Sequence, residues 1–91
     1  PESQVELAIV VAGARHDLGQ HEAALATLQQ LNPTIDEKKV GDFAHTRLSY
    51  AYADALAQVG RTDEARTWFE HVKKVDSEEM TDVAQRLKEL S

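Results

Sequence analysis

"LGQHEAALATLQQLNP", Leu18 to Pro33, and "VGRTDEARTWFEHVKKVD", Val59 to Asp76, decide how this chain folds. An offset of forty-one residues carries Gly19 onto Gly60, Ala24 onto Ala65, Leu28 onto Phe69 and Leu31 onto Val72. A Gly takes the left-handed backbone that ends a helix, and the apolar spacing beyond it is that of one helix face. Each copy therefore reads as a helix end, a tight turn and a second helix. Ala24 and Ala65 let the two helices of a pair approach closely, while Leu28 and Phe69 fill the gap one turn further along. Ala12 and Ala53, seven residues before each Gly, supply the matching small surface on the first helix of each pair.

Working outward, the first helix spans Glu2 to Leu18 with Leu7, Val11, Ala14 and Leu18 as its expected inward stripe. The second, His21 to Leu31, presents Ala24, Leu25, Leu28 and Leu31, with Glu22 near its positive end and Asn32-Pro33 stopping it. "TIDEKKVGD", Thr34 to Asp42, is a polar loop with room for one helical turn, and Asp42 is the expected cap of the third helix. From Phe43 to Val59 the stripe Leu48, Tyr52, Ala55 and Val59 repeats the first one at the same offset. Thr62 is the expected cap of a fourth helix, with Asp63 and Glu64 facing its dipole and Ala65, Trp68, Phe69, Val72 and Val75 on its buried side. Ser77 is the expected cap of a last helix carrying Met80, Val83, Ala84, Leu87 and Leu90 on one face. The result is a single all-α domain over residues 1–91 with about five helices: one repeat at about 2–33, a loop at 34–42, a second repeat at about 43–76 and a terminal helix at 78–90.

Helix, Gly turn and helix, with the small residue and the bulky residues at fixed distances past each Gly, resembles the tetratricopeptide repeat family. The resemblance covers two repeats plus a terminal helix. The family period is about 34 residues, and the spacing here is longer by about seven, a surplus assigned to the segment after Pro33. The family's early Trp and Gly are replaced by Ala8 and Ser49 and by Ala12 and Ala53. The resemblance implies a right-handed α-solenoid of antiparallel hairpins whose first helices line a concave face, and protein or peptide binding on that face.

On this chain the outward track of the third helix is Arg47, Tyr50, Asp54 and Gln58, spaced so that they share one side. A cation, an aromatic and a carboxylate together offer an anchor and directional bonds, so these four are the expected partner-binding residues. The family's clamp for a C-terminal carboxylate uses Lys and Asn; Ile9, Gly13, Tyr50 and Asp54 stand there, so recognition of that kind is not expected. The alternative is a structural or homodimerisation segment of a larger protein with no transient ligand. Val5, Ala8, Ile9 and Ala12 give the first helix a second apolar stripe, where the third has the more polar Thr46, Ser49, Tyr50 and Ala53. A helix apolar on both sides is buried on both sides. Those four are therefore the expected self-association surface, or the cover for preceding repeats.

Composition narrows the function classes. A net charge of −6 repels a phosphate backbone, so nucleic acid is not an expected partner. The longest apolar run, "LAIVVAGA", gives way to Arg15-His16-Asp17 and is too short to span a bilayer. No secretory leader is visible, and the absence of Cys fits a reducing compartment, so the expected location is the cytoplasm. The chain starts with Pro rather than Met, as a processed chain or a fragment does. His16, His21, His45 and His71 form no two-His pattern at helical ligand spacing, so no metal site or cofactor is expected. Adjacent Asp63 and Glu64 do not face each other on a helix, no Gly-rich phosphate loop occurs, and no Ser lies in an elbow motif. No enzyme activity is expected.

Overall fold

The computed structural model describes residues 2–90, with five helices: α1 (Glu2–Asp17), α2 (His21–Gln29), α3 (Phe43–Gln58), α4 (Thr62–Val75) and α5 (Val83–Leu90). A 3-10 turn at Glu37–Lys39 lies in the long loop, and no strand occurs among the described residues. Pro1 and Ser91 lie outside them.

Two glycine turns set the architecture. Gly19 and Gly60 have φ of 76° and 85°, a conformation in which a side chain would be strained. Around them the amides of Gly19 and Gln20 donate to the carbonyls of His16 and Arg15, and those of Gly60 and Arg61 to Ala57 and Leu56. The same pair of bonds thus closes both helices, and it satisfies carbonyls that a helix end otherwise leaves bare. α1 then folds back on α2, and α3 on α4. Ala24, Leu28, Ala53, Ala65 and Phe69 are all fully buried, as close approach at the small residues requires. Asp42 caps α3 by accepting the His45 amide at 2.9 Å, and Asp36 accepts the Lys38 amide at the start of the 3-10 turn.

The hairpins stack through α2 against α3 and through α1 against α3, and α5 continues the series by packing on α4. The core they enclose runs from Ala12 through Leu25, Leu28, Leu56, Phe69 and Val72 to Val83.

Three expectations are corrected. The inward side of α1 is the opposite of the one expected: Ala12 is buried and Val5, Ala8 and Ile9 pack against the core, whereas Leu7 and Leu18 are 65% and 72% exposed. Helix α5 begins at Val83 rather than near Ser77, because the Asp76 carboxylate accepts the Met80 and Thr81 amides at 2.9 Å and the Thr81 hydroxyl at 2.6 Å. Those bonds fix the chain in a turn and leave Met80 exposed. Thr62 is the first residue of α4, not its cap; Arg61 takes the cap position and forms no side-chain cap bond, its guanidinium meeting the Glu64 carboxylate through two contacts of 2.8 Å.

Candidate functional site

Three of the four expected partner-binding residues come together along one side of α3, and each is already engaged within the chain. Arg47 makes a two-pronged bond to Glu6 of α1, at 2.7 and 2.9 Å. The Tyr50 hydroxyl donates to Asp82 and accepts from Arg86 Nη1 at 3.1 Å. Asp54 takes Arg86 Nη2 at 2.7 Å and lies 3.9 Å from His16 Nε2. Gln58 is exposed at the far end.

Helix packing explains this arrangement. Equivalent helices lie side by side, so a residue on the shared face of α3 looks toward α1 on one flank and α5 on the other. Glu6 and Arg47 are 41 residues apart, the repeat offset itself, and so occupy the same position on neighbouring helices. Arg86 sits among aromatic rings as well as acids, its guanidinium 4.9 Å from the Phe69 ring centre and 5.6 Å from that of Tyr50. Burial works against its charge, but the bonds to Asp54 and Tyr50 outweigh it and raise its pKa further. The Tyr50 hydroxyl is also pushed up, first by burial and then by its bond to Asp82, so it stays protonated.

Between α1 and α3 these residues border a trough. Ile9, Tyr50 and Ala51 line two adjoining cavities: one of about 460 Å³ reaching Arg47, Met80 and Asp82, the other of about 190 Å³ reaching Gly13, His16 and Asp54. The trough combines apolar Ile9 and Ala51 with a polar rim. A Cβ built on Gly13 meets nothing within 4 Å, so the α1 backbone is open to an incoming chain there. The expected self-association residues all lie on the core side: Ala12 is buried in the core, Val5, Ala8 and Ile9 pack against it, and Ile9 and Ala12 also border the trough.

Two histidine pairs that no spacing in the sequence marks are assembled by the fold. His16 and His21 meet through Nδ1 atoms at 2.7 Å across the first glycine turn, and His45 and His71 through Nε2 atoms at 2.7 Å between α3 and α4. Among the described residues no group of three or more His, Cys, Asp or Glu is placed to hold a metal ion. Sequence separations of 5 and 26 carry no periodic signal that would have paired them. Glu6 stands in the sequence at the position equivalent to Arg47 with the opposite charge, whereas nothing in the sequence marks Arg86.

A model of the tetratricopeptide repeat matches residues 5–30 and 46–71, two copies at the offset seen in the two glycine turns. No curated protein and no solved structure matches the chain. Among the described residues no helix is long and apolar enough to cross a membrane.

Proposed function

The chain belongs to the tetratricopeptide repeat family, and from that premise we propose that it takes an extended segment of a protein partner into the trough between α1 and α3. Repeats of this family are generally protein–protein interaction modules, typically non-enzymatic, and their hairpins stack as an α-solenoid. The observation that supports this site is the trough itself, with apolar Ile9 and Ala51 beside an uncovered Gly13. A bound chain would lay apolar side chains against Ile9 and Ala51 and meet the rim at Arg47, Tyr50 and Asp54, with Gln58 beyond them. Because Glu6, Asp82 and Arg86 already hold the rim charges, the rim is preorganised and loses little side-chain freedom on binding. The reading includes a cytoplasmic setting, supported by the Cys-free sequence.

The test is a peptide selected from a display library against the protein. Gly13→Trp fills the part of the trough bordered by His16 and Asp54 and should abolish capture while the helical spectrum and melting midpoint hold. Undiminished binding by that variant would move the site elsewhere. A structural or homodimerisation role is the second reading, favoured by the exposed apolar face of α1.

A further inference from the structure

Each of the two histidine pairs brings ring nitrogens to 2.7 Å, but their surroundings differ. His16 stands at the end of α1 and His21 opens α2. Five residues apart on one continuous helix they would point to different sides, so it is the first glycine turn that brings them together. Gly19 at φ 76° and the bonds from the Gly19 and Gln20 amides to the His16 and Arg15 carbonyls hold the two helix ends in place. The rings then face each other through Nδ1, with centres 5.0 Å apart and planes at 34°. On the far edge of the His16 ring, Nε2 lies 3.9 Å from Asp54 Oδ2 of α3. A carboxylate there favours the tautomer with its hydrogen on Nε2, which leaves His16 Nδ1 as a lone pair. The 2.7 Å contact is accordingly assigned as a bond donated by His21 Nδ1.

We propose that the Nδ1 atoms of His16 and His21 together bind one late first-row divalent cation, Ni²⁺ or Cu²⁺, with Asp54 as the positioning residue behind His16. Metal–nitrogen bonds of about 2.0 Å at a right angle put two ligand atoms about 2.8 Å apart, whereas tetrahedral bonds put them about 3.3 Å apart. At 2.7 Å the pair matches the right-angled arrangement, which square-planar and octahedral ions adopt and tetrahedral Zn²⁺ does not. The cation takes the place of the hydrogen between the rings. That proton leaves to solvent, His21 Nε2 takes one up, and both imidazoles stay neutral. Two protein ligands leave the other positions to water, since among the described residues no group of three or more His, Cys, Asp or Glu is placed for a metal.

A metal site also needs an oriented second shell and a way in. Asp54 supplies the first. For the second, the His16 side chain is 15% exposed and borders the smaller cavity of the trough, and a net charge of −6 draws cations to the chain. The His45 and His71 pair has the same separation without these features. His71 is 3% exposed between α3 and α4, and its Nδ1 is buried with no hydrogen-bond partner to orient the ring. That pair is the internal control. The inference does not depend on a partner segment in the trough.

The test is a calorimetric titration of the tag-free protein with nickel(II) chloride near neutral pH, repeated with zinc(II) chloride. One Ni²⁺ per chain is expected, removable by EDTA and held more tightly than Zn²⁺. Because the ion ties α1 to α2 only in the folded chain, Ni²⁺ at about a hundred times its dissociation constant should raise the melting midpoint by about 10 °C. His16→Gln and His21→Gln should each weaken binding by about a hundredfold, the gain that a second tethered ligand contributes. Asp54→Asn should weaken it by about tenfold. A folded His45→Asn variant should bind as the unaltered protein does. Circular dichroism without metal checks that the variants keep their helices. Electron paramagnetic resonance of the Cu²⁺ complex needs no variant, and its splitting should show two nitrogen ligands. No saturable Ni²⁺ binding would overturn the proposal. So would binding that both Gln variants retain, binding that His45→Asn removes, or a copper spectrum with fewer than two nitrogens. Zn²⁺ held more tightly than Ni²⁺ would overturn the right-angled geometry, and undiminished affinity in Asp54→Asn would overturn the positioning role of the carboxylate.

Discussion

Helices α1 and α3 hold equivalent places one repeat apart, and their apolar residues fall on nearly the same positions, yet they live in different surroundings. α3 is packed on three sides, by α1, α2 and α4, and its remaining side carries the Tyr50 and Asp54 network to α5. Among the described residues α1 packs chiefly on α2 and α3. The same stripe is therefore core in one helix and surface in the other. A hydrophobic pattern states which faces are fit for burial; the neighbours available decide which of them is buried.

The sharpest way to break that comparison is to truncate the same position in both helices. Leu48→Ala removes a side chain only 9% exposed and should cost about 2–5 kcal/mol by lost transfer energy and the cavity left behind. Leu7→Ala, at 65% exposure, should stay within about 0.5 kcal/mol. Urea melts of both variants check this. Equal losses would mean that Leu7 is covered in solution, by self-association or by the chain itself.

How much of this is legible in the sequence depends on how local each signal is. The glycine turns and the small residues Ala24 and Ala65 are readable because the same short pattern occurs twice, and a turn needing positive φ has few solutions. The inward face of α1 is not. Val5, Ala8, Ile9 and Ala12 compete with Leu7, Val11, Ala14 and Leu18 on nearly opposite sides, and the repeat register favours the wrong set, because α3 buries its copy under a helix that α1 lacks among the described residues. The start of α5 misleads for another reason. Ser77 looks like a cap, but the Asp76 carboxylate beside it captures two amides that a helix beginning there would need. At the site, the outward track of α3 is visible in the sequence, but its engagement is not: bonds to Glu6, Asp82 and Arg86 depend on which helices become neighbours.

The second hairpin also carries a polar contact inside its interface that sharpens the comparison through pH. His71 is 3% exposed between α3 and α4, its Nε2 on His45 Nε2 and its Nδ1 buried without a hydrogen-bond partner among the described residues. Both rings are held below the ordinary value of 6.5. For His45 burial is the main cause, with Lys39 acting the same way and Asp42 and Asp36 opposing; for His71 it is burial and then His45, aided by Lys74 and opposed by Glu37 and Asp36. A base with a depressed pKa in the folded state binds more protons when unfolded. The stability it supports is complete above 6.5 and declines as the pH falls through that value. The melting midpoint should therefore drop between about pH 7.5 and about pH 5.5, the range in which imidazoles charge. The double variant His45→Asn, His71→Leu should flatten that slope. A midpoint level across the range in the unaltered protein would show that the pair is not held neutral in the fold.

The smallest effect tests whether the two equivalent helices recognise each other by charge. Glu6 and Arg47 stand at the same repeat position, and their paired bonds at 2.7 and 2.9 Å run from α1 to α3. Both side chains are partly solvated, at 46% and 39% exposure, so screening limits the pair to about 0.2–1 kcal/mol. The pair sits at the border of the trough, where Arg47 also lies over the Phe43 ring at 5.5 Å, so part of any loss on replacing Arg47 comes from that stacking rather than from the acid. A double-mutant cycle separates the two: Glu6→Gln and Arg47→Gln singly, then together, measured by chemical denaturation at low and high salt. The coupling between them should be favourable, within about 1 kcal/mol, and should shrink with salt. The reversed pair Glu6→Arg, Arg47→Glu should recover the coupling but not the stacking on Phe43. A coupling of zero at low salt would mean that the two helices are held side by side by apolar packing alone, and that the ion pair serves only to keep Arg47 extended along the trough.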